Sequence, residues 1–212
     1  MTLFRLDASI RLEGSASRAL GDIVEQTWRE SAGDEPVVRR QVGLDPLPSS
    51  AWSLAVSAGR TPEQERTSDQ REAVALAQTL VDELIEADAI LLTVPLYNFG
   101  VSQHLKAWVD LVITDPRMST QPLAGKHAVL AIVRGGAYGP GTPRDGWDHA
   151  TAWILRILRD VWGLDVVVVE REFTLVGVNP ALDSFADLAA EMKRDAEHLA
   201  VQHATHLVTT AS

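Results

Sequence analysis

The sequence contains no cysteine, and this absence removes several kinds of chemistry at once. A chain without thiols forms no disulfide, has no thiolate nucleophile and offers no thiolate ligand to a metal. Long apolar runs are also absent, since no stretch approaches the roughly 20 residues of a helical membrane span. The first residues, Met1 to Arg5, lack the basic and then apolar layout of a secretion signal. We therefore expect a cytoplasmic protein with no membrane partner.

Positive charge is scarce as well. The 19 Lys and Arg residues stand against 29 Asp and Glu residues, which gives a formal net charge of −10. Because a nucleic-acid surface needs clustered cations to neutralise phosphates, nucleic acid is not an expected partner. The 212 residues suffice for one large domain or two small ones. No linker, repeat or low-complexity tract divides them, so we expect a single domain over 1–212 that acts on small molecules.

Continuous apolar runs alternate with segments of helical periodicity along the chain. Short runs rich in Val, Ile and Leu are typical of parallel strands that are buried on both faces. The predicted strands cover residues 3–8, 36–42, 89–94, 126–133 and 165–170. The predicted main helices begin near Ser17, at the Thr61–Pro62 pair and at Ser102, and cover 147–162 and 185–208.

Five strands that alternate with five main helices predict an α/β fold. Since crossovers between parallel strands are right-handed, the expected fold is a doubly wound sheet with helices on both faces. Five strands suit the flavodoxin-like order 2-1-3-4-5 better than the six-stranded dinucleotide fold. In that order, ligands bind where the first and third strands diverge, at their carboxyl ends.

The loop after the third strand is the segment most suggestive of a ligand. Pro95, Leu96, Tyr97, Asn98 and Phe99 offer two rings and an amide between a buried strand and a helix. Such residues can flank a flat heteroaromatic ligand and hydrogen-bond its edge. An ordinary strand–helix loop is the alternative interpretation.

The loop after the first strand is rich in hydroxyl groups. Ser9, Ser15 and Ser17 precede a helix whose first N–H groups are free to bind an anion. The loop has neither G-x-x-x-x-G-K-[ST] nor G-x-G-x-x-G, so a single terminal phosphate suits it better than a triphosphate or a dinucleotide. Helix capping by Ser15 or Ser17 is the alternative. Together with the glycines at 135–136, which follow the fourth strand, the two loops form a layout suited to flavin mononucleotide (FMN).

Short motifs in the chain resemble those of FMN-dependent NADH-azoreductases, flavodoxin-like proteins related to NAD(P)H quinone reductases. Besides the serines of 9–17, the matching text is Pro-Leu-Tyr-Asn-Phe at 95–99, Leu-Lys-x-Trp-x-Asp at 105–110, Gly-Lys at 125–126 and Arg-Gly-Gly at 134–136. The cofactor-binding residues that this resemblance implies are Ser9, Ser15, Ala16 and Ser17 at the phosphate, Pro95, Leu96, Tyr97, Asn98 and Phe99 along the isoalloxazine, and Val133, Arg134, Gly135 and Gly136 on its other side.

The resemblance also implies an activity. NADH or NADPH would reduce bound FMN, and the flavin would then reduce a quinone, an azo compound or a similar flat aromatic acceptor in a ping-pong cycle. The family works as homodimers with the active site at the interface. Because the flavin carries the chemistry, we assign no catalytic side chain and no metal. Tyr138, Met118 and Trp52 are candidates for the substrate cleft.

The chain departs from the family pattern at three places. Ala16 stands where Gln is frequent, Val133 replaces a small polar residue, and 113–118 lacks the Gly-x-Thr-Phe segment whose ring covers the flavin. Two further hypotheses therefore stay open. The protein could be adapted to one biosynthetic substrate, or it could be a flavodoxin-like binding protein without catalysis.

Overall fold

The computed structural model describes residues 1–33 and 35–211. Strands and helices alternate along almost its whole length. The elements are β1 (Leu3–Asp7), α1 (Ala16–Ala32), β2 (Val37–Arg40), α2 (Ala51–Ala58), α3 (Ser68–Glu86), β3 (Ala89–Pro95), α4 (Gln103–Ile113), β4 (His127–Val133), α5 (Thr151–Leu155, continued by a π-helical turn over Arg156–Val161), β5 (Asp165–Arg171) and α6 (Ala186–Ala211).

The five strands form one sheet in the order β2-β1-β3-β4-β5, and every pairing is parallel. The predicted flavodoxin-like, doubly wound sheet is therefore confirmed. The short, charged β2 lies at one edge, where partial exposure suits Arg39 and Arg40. β3, which is apolar except for Thr93, lies at the centre, where each of its residues is buried.

Two apolar clusters cover the two faces of the sheet. Alternate residues of β3 contribute to each, since successive side chains of a strand point to opposite faces: Ile90 and Leu92 belong to one cluster and Leu91 to the other. The first cluster includes Trp108 of α4, and the second includes Trp28 of α1. This layering leaves only the strand ends and their loops for ligand binding.

Two predicted helix starts are wrong, and at each observed start a polar side chain accepts hydrogen bonds from backbone amides. α3 begins at Ser68 and not at Pro62, because Thr67 and Gln70 form a reciprocal capping box. α5 begins at Thr151 and not at Trp147. Its N-cap is Ala150, and Asp148 Oδ1, two residues earlier, accepts hydrogen bonds from the amides of Ala150 and Thr151 at 2.8 and 2.9 Å. In the described part of the chain, every helix falls short of the length and apolarity that a membrane span requires.

Candidate functional site

A cleft lies at the carboxyl ends of β1, β3 and β4, beside the point where the strand order reverses. It encloses about 230 Å³. The residues that line it are Ser9, Arg11, Gly14, Ser15, Ala16, Ser17, Pro95, Leu96, Tyr97, Val133, Gly135, Thr174 and Leu175. Nine of the predicted cofactor residues are thus brought together at the predicted edge of the sheet.

A cluster of buried hydroxyl groups forms one end of the cleft. Ser15 Oγ lies 3.0 Å from Ser9 Oγ and 3.3 Å from Ser17 Oγ, and Ser9 Oγ lies 3.2 Å from the Tyr97 hydroxyl. Ser15 also caps α1, since its hydroxyl accepts a hydrogen bond from the Arg18 amide. Capping and anion binding are therefore compatible in this loop, because a hydroxyl both donates and accepts.

The electrostatics of this end favour an anion. The amides of Ala16 and Ser17 open α1 and have no acceptor within the helix, and the helix dipole adds partial positive charge there. Arg11 lines the cleft, is exposed, and has no ion pair among the described residues. Arg18, in contrast, is buried and engaged, with its guanidinium 3.2 Å from Asp7 and 3.1 Å from Gln41.

The loop after β3 ends in a tight turn with unusual backbone angles. Tyr97 and Gly100 exchange two backbone hydrogen bonds, and the residues between them, Asn98 and Phe99, have φ values of 48° and 67°. Positive φ at both central residues is typical of the type I′ turn. Ser102 then caps α4 by accepting a hydrogen bond from the Leu105 amide, as predicted. The turn carries Asn98 and Phe99 beyond the cleft that Pro95 to Tyr97 line.

Phe99 instead joins an aromatic cluster at the rim. Its ring lies 5.3 Å from Trp147, edge on, and 6.4 Å from Tyr138. Its carbonyl accepts a hydrogen bond from the His149 amide at 2.9 Å. Tyr138, predicted at the substrate cleft, is thereby tied to the tip of the β3 loop.

The predicted role of Arg134 beside the flavin is not supported by its side chain. The guanidinium lies 2.7 Å from Asp148, 3.0 Å from Glu170 and 3.6 Å from Glu172, and none of its atoms lines the cleft. Burial works against its charge, but Glu170 and Asp148 outweigh burial and raise the pKa of Arg134. The residue holds the β4 loop against α5 and β5, so only its neighbours Val133 and Gly135 reach the cleft.

The same ion pair affects Asp148. Burial raises the pKa of a carboxyl group, but hydrogen bonds from Thr151 and Arg134 outweigh burial and place the pKa of Asp148 below its ordinary value. Asp148 is therefore ionised in the folded protein at neutral pH, where it accepts amide hydrogen bonds at the start of α5 and pairs with Arg134.

Sequence reasoning missed Thr174 and Leu175, which close the cleft from the segment after β5. An added Cβ on Gly135 would lie 2.7 Å from Leu175 Cδ1, so any other residue here would require the Leu175 side chain to shift. The signal that could have found them is positional: they follow the carboxyl end of a strand, as the other lining segments do.

Two substrate-cleft candidates lie elsewhere. Met118 is 5% exposed and belongs to the apolar core, because Asp115 caps a 3-10 turn that folds it inward. Trp52 lies on α2 and is exposed, beside a separate shallow depression formed with Val56 and Arg60. Gly136 lines a second cavity instead of this cleft. Within 1–33 and 35–211, no group of three or more His, Asp or Glu side chains could hold a metal ion.

Comparison with known proteins adds to this geometry. A family model for the flavodoxin-like fold matches residues 1–199. A curated FMN-dependent NADH:quinone oxidoreductase from Frankia alni is 40% identical over 191 residues, which cover 88% of this chain and 90% of the relative. Another, from Streptomyces coelicolor, is 34% identical over 212 residues, which cover 97% and 94%.

Solved structures show the same architecture. An azoreductase from Bacillus anthracis str. Sterne superposes with a TM-score of 0.77 at 20% identity, covering 97% of this chain and 99% of that one. The FMN-dependent NADH-azoreductase from Bacillus anthracis str. Ames Ancestor, solved in complex with FMN, superposes with a TM-score of 0.74 at 15% identity, covering 96% and 99%. At these identities the structures show a shared fold.

Proposed function

We propose that this chain, which belongs to the flavodoxin-like family of FMN-dependent NADH:quinone oxidoreductases, binds FMN in the cleft. It would then transfer hydride from NADH or NADPH to quinones, azo compounds or similar flat aromatic acceptors. The observation that carries the proposal is the serine cluster at the start of α1, which adjoins a cleft with apolar walls. A single domain over 1–212 would bind the flavin.

The phosphate of FMN would lie at the hydroxyl end of the cleft. Ser9, Ser15 and Ser17 offer three hydroxyl groups, the first amides of α1 offer N–H groups, and Arg11, which lines the cleft, offers a guanidinium. A dianionic phosphate matches this donor set, because oxygen acceptors at a helix N-terminus gain from both the hydrogen bonds and the dipole. The residues present therefore fit the phosphate.

The ring system would lie at the other end. Pro95, Leu96 and Val133 supply apolar walls, while Tyr97 supplies a hydroxyl. The missing side chain of Gly135 lets Leu175 pack against the β4 loop, and both residues line the cleft. No side chain of the cleft needs to act as an acid or base, since a quinone that accepts a hydride needs one further proton, which water can supply. Bound FMN supplies the two-electron chemistry, and the protein orients the reactants and excludes solvent.

Ping-pong turnover on one flavin face and a homodimeric active site are parts of this proposal. The cleft volume of about 230 Å³ is smaller than the roughly 300–1,000 Å³ of most small-molecule sites. A second copy of the chain at the open side would enlarge and close the site. Alternate entry of nicotinamide and acceptor then follows, because both would need the same exposed ring face.

The visible absorption spectrum tests the proposal. The protein is titrated with FMN, and NADH or NADPH is then added without oxygen. We expect a perturbed flavin spectrum that bleaches with the nicotinamide and recovers with a short quinone. Protein that neither binds FMN nor perturbs its spectrum would overturn the proposal. Flavin reduction combined with poor turnover of quinones and azo dyes would favour the one-substrate alternative.

A further inference from the structure

A second and larger cavity lies beside the cleft. It encloses about 580 Å³ between the loop 136–144 and the segment 172–192, and we call it the apolar chamber. This volume falls within the range of small-molecule sites. The apolar side chains that argue for a ligand are Pro140, Pro143, Leu182, Phe185, Leu188 and Met192.

The cleft and the chamber share one wall. Two segments run side by side, with the Leu175 amide bonded to the Gly135 carbonyl at 3.1 Å and the Phe173 amide bonded to the Gly136 carbonyl at 3.3 Å. Gly135 and Leu175 face the cleft, whereas Gly136 and Phe173 face the chamber. The two cavities therefore lie on opposite sides of this wall, one residue step apart, and a ligand that reaches both would cross the rim of the wall.

The charged groups of the chamber already have partners. Arg144 lies over the ring of Tyr138 at 5.5 Å and donates a hydrogen bond to its hydroxyl at 3.3 Å. Glu172 accepts hydrogen bonds from the Tyr138 amide at 3.0 Å and lies 3.6 Å from Arg134. The hydroxyl of Thr142 donates to the carbonyls of Ala137 and Gly139 at 3.2 and 2.8 Å. The other lining side chains are apolar, so the chamber favours hydrocarbon over the phosphates of a dinucleotide.

The wall also presents aromatic and aliphatic side chains to the opening of the chamber. Phe173 has a φ of 54°, uncommon for an aromatic residue, and its ring stacks on Phe185 at 5.1 Å. Phe185 and Leu188 are 42% and 44% exposed, so two large apolar side chains border the opening. Contact between apolar side chains and water is unfavourable, so burial of a hydrocarbon chain against these side chains lowers the free energy.

We propose that the apolar chamber binds the alkyl or prenyl substituent of a quinone whose ring lies at the flavin in the cleft. This inference rests on the proposed function and narrows its acceptors to amphipathic quinones. Each methylene that enters the chamber leaves water, which strengthens binding roughly three- to fourfold for complete burial. Affinity therefore rises with chain length until the chamber is full.

The test uses 1,4-benzoquinones with straight alkyl chains from methyl to decyl. Affinity for the FMN-loaded protein is measured by calorimetry without NADH, and kcat/KM is measured with NADH. Leu188→Arg places a charge on the chamber wall, and Leu199→Arg is the matched control, because Leu199 lies on the same helix, is 38% exposed and does not line the chamber. We expect both quantities to rise with chain length, and Leu188→Arg alone to flatten the rise while leaving the methyl quinone unchanged.

Other outcomes separate this inference from the proposed function. A methyl quinone that is reduced, with no dependence on chain length, overturns the chamber and leaves the function intact. Equal flattening by both arginine variants overturns it too, since surface adsorption would then explain the rise. If Leu188→Arg changes only the mass measured by light scattering, the chamber is an interface between two copies. If no quinone is reduced, the function fails, and calorimetry still decides whether alkyl chains bind.

Discussion

The loops that follow β1 and β4 lie at the same edge of the sheet, and each contains an arginine, but the two arginines have different surroundings. Arg134 is buried and surrounded by Asp148, Glu170 and Glu172. Arg11 is exposed, lines the cleft and has no carboxylate partner among the described residues. One arginine thus holds its own loop in place, and the other remains free for a ligand.

The difference between the two arginines follows from their burial. A buried guanidinium needs carboxylate partners, because their attraction offsets the free-energy cost of removing its charge from water. Those carboxylates occupy its N–H donors, so no donor remains for an anionic ligand. An exposed guanidinium keeps its hydration until a phosphate arrives, and its contribution then depends on salt. Variants of the two arginines should therefore change different properties.

The largest expected effect is on stability, from Arg134→Met. Removal of the guanidinium leaves Asp148 and Glu172, with side chains 14% and 10% exposed, without their cation. We expect the free energy of unfolding at pH 7 to fall by about 3 kcal/mol, the lower end for a broken buried pair. Urea denaturation followed by circular dichroism measures it.

Arg156→Met is the control for this comparison. Its ion pair with Asp160 is formed by side chains that are 73% and 54% exposed. We expect a loss within about 0.5 kcal/mol, because exposed pairs contribute little. Equal losses in the two variants would show that burial does not distinguish the arginines.

The second effect is on ligand binding, from Arg11→Gln. We expect FMN affinity to fall roughly tenfold, which corresponds to about 1.4 kcal/mol, through loss of a charge-assisted hydrogen bond. Riboflavin, which lacks the phosphate, should bind both forms equally. Fluorescence titration of each flavin at two salt concentrations measures this.

Arg60→Gln serves as the matched control, because Arg60 is exposed and borders the depression beside Trp52 and not the cleft. It should leave both affinities unchanged. Parallel losses of FMN and riboflavin affinity in Arg11→Gln would contradict a role for Arg11 at the phosphate.

The smallest effect is a change in pH dependence, from Asp148→Asn. Since the pKa of Asp148 is lower in the folded protein, its ionised form stabilises the fold above the ordinary value of 3.8, and this contribution disappears as the pH falls through the lower, folded value. We expect the variant to be about 1 kcal/mol less stable at pH 7. The difference should shrink below about pH 4. Denaturation at pH 3, 4 and 7 measures it, and a constant difference would exclude ionisation as its cause.

Local patterns were enough to predict some features correctly. The apolar run of β3 predicted a buried central strand, and the spacing of Ser9, Ser15 and Ser17 between a strand and a helix predicted hydroxyls gathered at one edge. Each of these depends on neighbours close in the chain. The helix start at Pro62 failed for a related reason: Thr67 and Gln70 form a better local cap five residues later.

Other features depend on residues that are distant in the chain. Asp148, Glu170 and Glu172, the partners of Arg134, lie 14 or more residues beyond it, so nothing local could show that its guanidinium was already engaged. The chamber likewise needs the loop 136–144 to meet α6 and the segment before it.

The sequence by itself determined the order of strands and helices, the burial of the central strands and the hydroxyl-rich loop. The reason is that the periodicity of apolar residues and helix capping each depend on only a few neighbouring residues. Only the tertiary structure decided which side chains reach the cleft. It placed Met118 in the core, added Leu175 to the wall and put the apolar chamber beside the cleft. The physical reason is that burial and charge pairing are settled between elements, by whichever partners packing brings within contact.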